Sequence, residues 1–519
     1  MNNLILPLLV PFLTMLILAL LNGYYRLEKI IAVLSTAGLT AWVSWLLFYV
    51  DANGIQVTII GGWAAPWGIA FVADRLAVIM LALSTSLATL VQLYSFWTVT
   101  ETQQKYFFYP LMQGMLLGVN WAFITGDVFN LFVAYEVMLM ASYGLMIIGA
   151  SPAQVQQTFK YIAINSIGST FFVVGCGVIY STTGTLNMAD LAVRTAQLTG
   201  SQAAIVTASS MLLLTVFALK AATFPLIYWL PDAYPIVPTG VNGYFAGILT
   251  KVGVYSLLRV FVMCFQQDGR ELALDVLLVL SGFTMLLGVL GAMCQWDIRH
   301  LLSWHIISQV GYMVMGIGLA GHVDTRVVEL AVAGTILHIA HNIIVKSNLF
   351  LISGIIERIS GSQQLKELGG IIDLTPGLAG FFLIASLSLA GMPPLSGFLS
   401  KLVLTQAGLA GESYLIVTIA VITSFFTLYS MTKIWSYAFW GEHTKNKPIL
   451  SYRGMMLPTA ALVIFTLFMG AWAQPFLDLA KRAASTIIKP DDYIQAVMSV
   501  KQIRKSLHHT DVAESTAPH

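Results

Sequence analysis

The sequence predicts an all-α polytopic membrane protein of about fourteen transmembrane helices, and three observations carry that expectation. The first is composition: 57% of the 519 residues are hydrophobic and only 10% are charged, against roughly 25% charged in soluble domains. The second is continuity. The apolar residues fall in unbroken runs of about 20, enough to cross a hydrocarbon core as helix, without the period-2 alternation of barrel strands. The third is that only short polar stretches separate these runs, which leaves no room for an inserted soluble domain. A net charge of +2 offers no electrostatic case for nucleic acid. Cys176, Cys264 and Cys294 lie in apolar surroundings without ligand spacing and read as buried, inert thiols. No metal and no cofactor is expected.

Residues 1–22 lack a basic leader and a small-residue cleavage site, so they read as a first span rather than a signal peptide. Further spans follow at 29–49, 72–98, 107–126, 128–149, 157–182, 203–229, 239–262, 273–294, 300–320, 327–357, 376–409, 413–440 and 455–480. From about Lys489 to His519 the chain turns polar and reads as a loose or surface-lying tail.

Loop charge sets the expected orientation. Loops after odd-numbered spans carry Arg26, Lys29, Lys105, Arg299, Arg358, Lys366, Lys445, Lys447 and Arg453, whereas those after even-numbered spans carry Arg194, Arg270 and Arg326. Basic loops stay in the cytoplasm, which places both termini outside. The basic tail (Lys481, Arg482, Lys489, Lys501, Arg504 and Lys505) pulls the other way.

Two spans carry helix-breaking prolines. The seventh contains Pro225, Pro231 and Pro235; the twelfth contains Pro393 and Pro394 between Gly391 and Gly397. Proline deletes the bond to the carbonyl four residues back, so Pro225 frees Ala221 and the Pro393/Pro394 pair frees Leu389 and Ala390. Free backbone at membrane depth must face protein or a wet cavity. Broken helices in two corresponding places point to inverted repeats with ion sites between them. Plain kinked structural helices are the alternative.

A few charges stand where insertion opposes them: Glu136 in the fifth span, Lys220 before the Pro225 break, Lys251 in the middle of the eighth, Lys346 in the eleventh and Lys401 after the second break. At about 2.5–3.5 kcal/mol each, the five oppose insertion by more than about 10 kcal/mol, which drift does not explain. Structural ion pairing is the competing account. Lys160, Arg259 and Lys433, nearer span ends, read as snorkelling side chains. A buried lysine suits proton handling, because low dielectric favours its neutral form and a nearby carboxylate its charged form.

In the eleventh span, Thr335, His338, Asn342, Lys346 and Ser353 fall within about an 80° arc, with His341 about 60° beyond. The stripe runs about 27 Å, nearly the hydrocarbon thickness. Histidines on such a stripe suit a proton wire; hydrogen-bonded helix glue is the alternative. A bis-histidine haem is disfavoured, since both histidines share one helix.

Around these residues the chain resembles a known superfamily. F-A-L-K-A-A-T-F-P-L-I-Y-W-L-P-D-A-Y followed by I-L-T-K-V-G-V-Y-S-L-L-R is similar to the signature of the antiporter-like subunits of respiratory complex I. D-I-R-H-L-L-S-W-H-I-I-S-Q-V-G-Y-M, H-I-A-H-N-I-I-V-K-S-N-L-F-L and G-M-P-P-L-S-G-F-L-S-K extend the match from about the fourth to the thirteenth span. Within that superfamily, W-H-I-I-S-Q-V-G-Y-M and the chain length most resemble the D-type subunits of the Mrp-type multisubunit Na+/H+ antiporters.

The resemblance implies two five-helix inverted repeats, each with a proline-broken helix and a proton half-channel. It divides the chain into three N-terminal spans (1–98), a first repeat (105–265), a second repeat (270–440), a last span (455–482) and a polar tail (483–519). By position, it implies an acid at Glu136, its lysine partner at Lys220, a connecting lysine at Lys251, the central histidine at His338 and the ionisable residue of the second broken helix at Lys401. His341, Asn342, Lys346, Thr335 and Ser353 support that path. Asn342 departs from the pattern of many relatives, which carry a second histidine there. The implied activity is proton translocation within a hetero-oligomeric Na+/H+ antiporter in a prokaryotic cytoplasmic membrane. The implied partners are a large A-type subunit, small membrane subunits, H+ and Na+. A proton-pumping subunit of a complex I-like quinone oxidoreductase or membrane-bound hydrogenase is the rival reading, and a passive scaffold a third.

Overall fold

The computed structural model describes residues 2–441 and 451–499. Lys445, Lys447 and the basic residues beyond 499 lie outside the described residues. The chain folds as a helical membrane protein with α1 (Leu6–Leu20), α2 (Tyr25–Asn53), α3 (Arg75–Thr98), α4 (Phe108–Ile124), α5 (Val128–Ile147), α6 (Pro152–Thr183) and α7a (Gly200–Ala221). A short α7b (Trp229–Ala233) precedes α8 (Thr239–Cys264), α9 (Glu271–Cys294), α10 (Ile298–Leu319) and α11 (Thr325–Ser360). Then come α12a (Pro376–Ala390), α12b (Ser396–Ala410), α13 (Tyr414–Phe439), α14a (Met456–Ala471) and α14b (Ala473–Ile488). Among the described residues, 12 helices are long and apolar enough to cross a membrane; α4, at 17 residues, and α12, split at its prolines, are shorter.

Helix starts follow from capping chemistry. Asp74, Asp127 and Asp297 accept bonds from Ala77, Asn130 and His300 amides at 2.9, 2.8 and 3.0 Å, and Ser151 with Gln154 forms a capping box on α6. The third span begins later than the expected residue 72. Ala70–Ala73 pairs antiparallel with Gln56–Ile59 as a small hairpin, and Asp74 caps the helix behind it. The seventh helix stops at Ala221 instead of running to 229. Pro225 cannot continue it, and Ala222 takes a left-handed conformation, φ 58°.

Helices α4–α8 and α9–α13 form two five-helix units with matching internal contacts. A Cβ on Gly118 would lie 2.4 Å from the Met138 amide nitrogen, and one on Gly288 would lie 2.4 Å from that of Ser308. Both glycines allow backbone contact between the first two helices of a unit, and both pairs are related by 170 positions, as are the caps Asp127 and Asp297. Five helices per unit is odd, so the units run in opposite directions through the membrane.

The longest helix, α11, has 36 residues and lies at the centre, almost wholly buried. The last span differs from the expected 455–480 with a polar tail from 483. It bends at Trp472, three residues before Pro475, and continues as amphipathic α14b to Ile488. Arg482 there pairs with Asp51 at 2.9 Å. Residues 491–499 are helical and bury Tyr493 and Val497.

Two further expectations are corrected. Cys176 and Cys264 are buried, but Cys294, at the end of α9, is exposed. Arg259 does not snorkel: it is 2% exposed and pairs bidentately with Asp74 at 2.6 and 2.7 Å. An arginine fork can be buried there because a carboxylate and the Tyr255 hydroxyl satisfy its donors.

Candidate functional site

The sequence-predicted residues line a chain of polar groups through both repeats. At one end, Glu136 on α5 is half-buried in the wall of an apolar cleft of about 1020 Å³, beside Leu117, Trp121 and Met140. It accepts a hydrogen bond from Ser169 on α6. Lys220, buried at the end of α7a, donates to Asn165 Oδ1 at 2.7 Å and lies 5.7 Å from the Tyr135 ring centroid. Glu136 and Lys220 therefore do not touch; Asn165 and Ser169, one turn apart on α6, stand between them.

Gly253 lets α8 reach the end of α7a, since a Cβ there would lie 2.6 Å from the Ala221 nitrogen. This contact brings Lys251 towards the α7 break. Lys251 is fully buried and donates to Ala246 O at 2.6 Å, within a π-helical turn at Phe245–Leu249. π-turns recur at functional positions because they leave carbonyls off the regular ladder. Lys346 on α11 makes only a long contact, 3.5 Å to Leu302 O. Around these two lysines, Asn242, Thr250, Ser347 and Asn348 carry buried polar atoms without a protein partner, so the region between α8 and α11 is polar and suited to water.

The second repeat is the most connected. His338 Nδ1 lies 3.0 Å from Ser400 Oγ on α12b, and Asn342 Nδ2 lies 3.1 Å from His338 Nε2. With Asn342 donating to Nε2, neutral His338 carries its proton on Nδ1 and donates it to Ser400. His341 Nδ1 bonds Ser396 at 2.9 Å, and Ser396 bonds Ser388 across the helix break at 3.1 Å. Gly397 permits this crossing, since a Cβ there would lie 1.8 Å from Ser388 O. Lys401 donates to Leu389 O at 2.9 Å and Ala390 O at 3.1 Å, the two carbonyls expected to be freed by Pro393 and Pro394. It also reaches Ser424 on α13 at 3.2 Å and sits 4.8 Å from the Tyr312 ring centroid. The lysine side chain thus replaces the amides that the prolines removed.

The stripe on α11 is divided. His338, His341 and Lys346 meet neighbouring helices, whereas Asn342 bonds His338 and Ser353 the Phe350 carbonyl, both on α11 itself. Thr335 bonds Ala331 O at 2.9 Å and Met313 O at 3.3 Å. At the first break, Trp229 Nε1 donates to Leu219 O at 3.1 Å, the counterpart of the Lys401 cap. Reading the sequence misses Asn165, Ser169 and the α10 face of His305, Gln309 and Tyr312. Their i, i+4 and i+7 spacings are the signals that mark them.

A family model described as the NADH:quinone oxidoreductase/Mrp antiporter transmembrane region matches residues 125–427, which hold every ionisable group of this axis. The chain belongs to that family. It is 43% identical to a protein named as the D-type subunit of a Na+/H+ antiporter from Alkalihalophilus pseudofirmus, over 96% of this chain and all of that one. A protein of the same name from Bacillus subtilis is 35% identical, again over 96% of this chain and all of that one. Among solved structures, a chain of the Mrp complex from Dietzia sp. superposes with a TM-score of 0.87 at 31% identity, covering 96% of this chain and 99% of that one. A chain of an archaeal membrane-bound sulfane sulfur reductase gives the same TM-score at 25% identity, covering 96% of this chain and 100% of that one.

Proposed function

We propose that this chain is a proton-translocating subunit of a hetero-oligomeric Na+/H+ antiporter in a cytoplasmic membrane, a secondary transporter component rather than an enzyme. The observation that carries the reading is the set of ionisable groups at membrane depth, half-buried Glu136 and buried Lys220, Lys251, His338 and Lys401, of which Lys220 and Lys401 flank the two helix breaks of an inverted repeat. Protons move along it by exchange between lysine ammonium, imidazole and intervening hydroxyls or water. Glu136 sits in the Coulomb field of Lys220, so its occupancy biases whether Lys220 holds a proton, and that bias passes inward. Basic loops after odd-numbered spans face the cytoplasm in this reading, with the termini opposite. Partners of the large A-type and small membrane classes complete the complex and supply most of the sodium path, since the axis offers one acid and no oxygen cage.

The sulfane sulfur reductase likeness favours a second reading, a pumping subunit of a redox-driven complex. The higher identity to proteins named as antiporter components favours the first. Purifying the complex identifies its partners. Na+-driven pH changes in everted vesicles then test the path: E136A and K220A should each abolish antiport with the complex assembled. Parental rates in both assembled variants would overturn the reading.

A further inference from the structure

The second repeat buries a titratable side chain that this axis leaves unused. His305 lies on α10 about 10 Å from the helix start at Ile298. It is fully buried; its Nε2 lies 2.5 Å from Ser430 Oγ on α13, and its Nδ1 has no hydrogen-bond partner. Its counterpart in the first repeat is Tyr135, 170 positions earlier, whose hydroxyl lies 3.0 Å from Ser256 on α8. Each aromatic ring thus bonds a serine on the last helix of its own repeat. A phenol holds its proton at physiological pH, whereas an imidazole exchanges one there. The two repeats are equivalent in shape at this point and different in chemistry.

Polar side chains on α13 lie between the axis and His305; the Thr427 and Ser430 hydroxyls donate to Thr423 O and Thr427 O at 2.8 and 3.0 Å, so a route along them needs water between. The buried face of α13 carries Thr423, Thr427 and Ser430, and Ser424 at its edge contacts both Lys401 (3.2 Å) and Tyr312 (2.8 Å). From Ser424 to Ser430 is about 9 Å along the helix. Thr427 lies between, and the Thr423 hydroxyl is buried without a partner. The charged groups facing His305 are Lys346 from α11 and Lys401 from α12b. The α13 side offers hydroxyls, and α9 presents Gly288 and Gly291 to the neighbouring Ser308 and Trp304. One turn beyond Ser430, Lys433 is half-buried at the membrane face, bonded to Met293 O and Gln295 O at 3.0 and 2.8 Å.

We propose that His305 carries protons on a branch that leaves the axis at Lys401, follows the hydroxyls of α13 and passes Ser430 to the membrane face bearing Arg299 and Lys433. The imidazole accepts a proton at one ring nitrogen and releases one from the other; the Ser430 hydroxyl accepts one and gives up its own. Nothing is oxidised or reduced; each passage leaves the imidazole in its other tautomer and the hydroxyl turned, and both reorient before the next proton. The inverted repeat explains why the branch is one-sided: the same position in the first repeat, nearer the opposite face, holds the non-exchanging Tyr135. This inference rests on the proton-translocating reading.

The test uses the whole complex in everted vesicles, with H305Q, S430A, S430T and K401Q. Glutamine fills the site and can bond Ser430 but carries no proton. H305Q and S430A should slow Na+-driven antiport at least tenfold with subunit composition unchanged, and S430T, which keeps the hydroxyl, should recover most of the rate. Parental rates in assembled H305Q and S430A, with K401Q inactive, would overturn the branch and leave the axis standing. Parental rates in all of them, K401Q included, would overturn the translocation reading itself. If H305Q fails to assemble, the serine pair decides: a slow S430A rescued by S430T supports the branch, while equal rates in the two, fast or slow, overturn it.

Discussion

Lys220 and Glu136 are held by consecutive turns of the same helix and not by each other: Lys220 donates to Asn165 at 2.7 Å, and Ser169 donates to Glu136. α6 is thus the spacer that keeps an acid and a base apart at membrane depth. A direct buried pair would bind its proton state tightly. Separation across two neutral side chains leaves each group free to change partners, which a relay requires.

Asn165 should matter accordingly. N165L keeps the bulk but removes the acceptor on Lys220, and losing a hydrogen bond to a charged group costs about 1.5–3 kcal/mol. If that cost falls on the transfer step, antiport slows by about ten- to 150-fold. S169A removes a contact to a half-exposed carboxylate and should have the smaller effect. Initial rates of Na+-driven pH change, normalised to assembled complex, check the order.

Lys401 both caps carbonyls and lies on the axis, and substitution can separate the two roles. K401Q keeps a hydrogen-bond donor, one bond shorter than the lysine that caps Leu389 O and Ala390 O, but no group that titrates. It should assemble normally and lose antiport about 100-fold or more, the scale on which a positioned proton donor contributes. K401A also strips the cap and leaves two buried carbonyls unpaired, at about 1–3 kcal/mol each. It should therefore reduce thermal stability of the purified complex as well as activity, whereas K401Q should leave the melting temperature near that of the parent.

How far the sequence reaches follows from what it encodes locally. Span positions, the two breaks and the freed carbonyls of Leu389 and Ala390 are consequences of hydropathy and proline chemistry, both readable residue by residue. The partner of those carbonyls is not readable, because Lys401 reaches back 12 positions across a turn whose path only the fold defines. Arg259 escapes a local reading for the same reason: its position near a span end suggests water, but Asp74, 185 positions away, lies against it. The kink before Pro475 is legible in the proline itself, yet the polar residues beyond it suggest a tail. Their apolar neighbours, spaced for one helix face, bury Ala480, Ala483 and Ile487.

The Asp74–Arg259 pair should act as a structural clamp. It ties the start of α3 to the end of α8, and the guanidinium also faces the Tyr493 ring at 5.5 Å. D74N would leave a buried guanidinium without its counter-charge, a loss of about 3–5 kcal/mol. The double variant D74N/R259M removes the orphaned charge and should be less destabilised than D74N alone. Thermal melting of the purified complex in detergent distinguishes the two; a double variant worse than D74N would mean that the arginine stabilises through packing and not through charge.

The matched glycines give a test of the repeat itself. Gly118 and Gly288 each allow the first two helices of a unit to touch backbone to backbone, with an added Cβ falling 2.4 Å from an amide nitrogen that no rotamer change can move. G118A and G288A should therefore force the helix pairs apart, at the roughly 1–3 kcal/mol typical of overpacking or more. Gly38, with nothing within 4 Å of its would-be Cβ, is the control, and G38A should be neutral or slightly stabilising. Limited proteolysis and melting of the assembled complex should show similar losses for G118A and G288A. A large loss in only one would show that the equivalence of the two units stops at the backbone trace and does not extend to how tightly each pair must close.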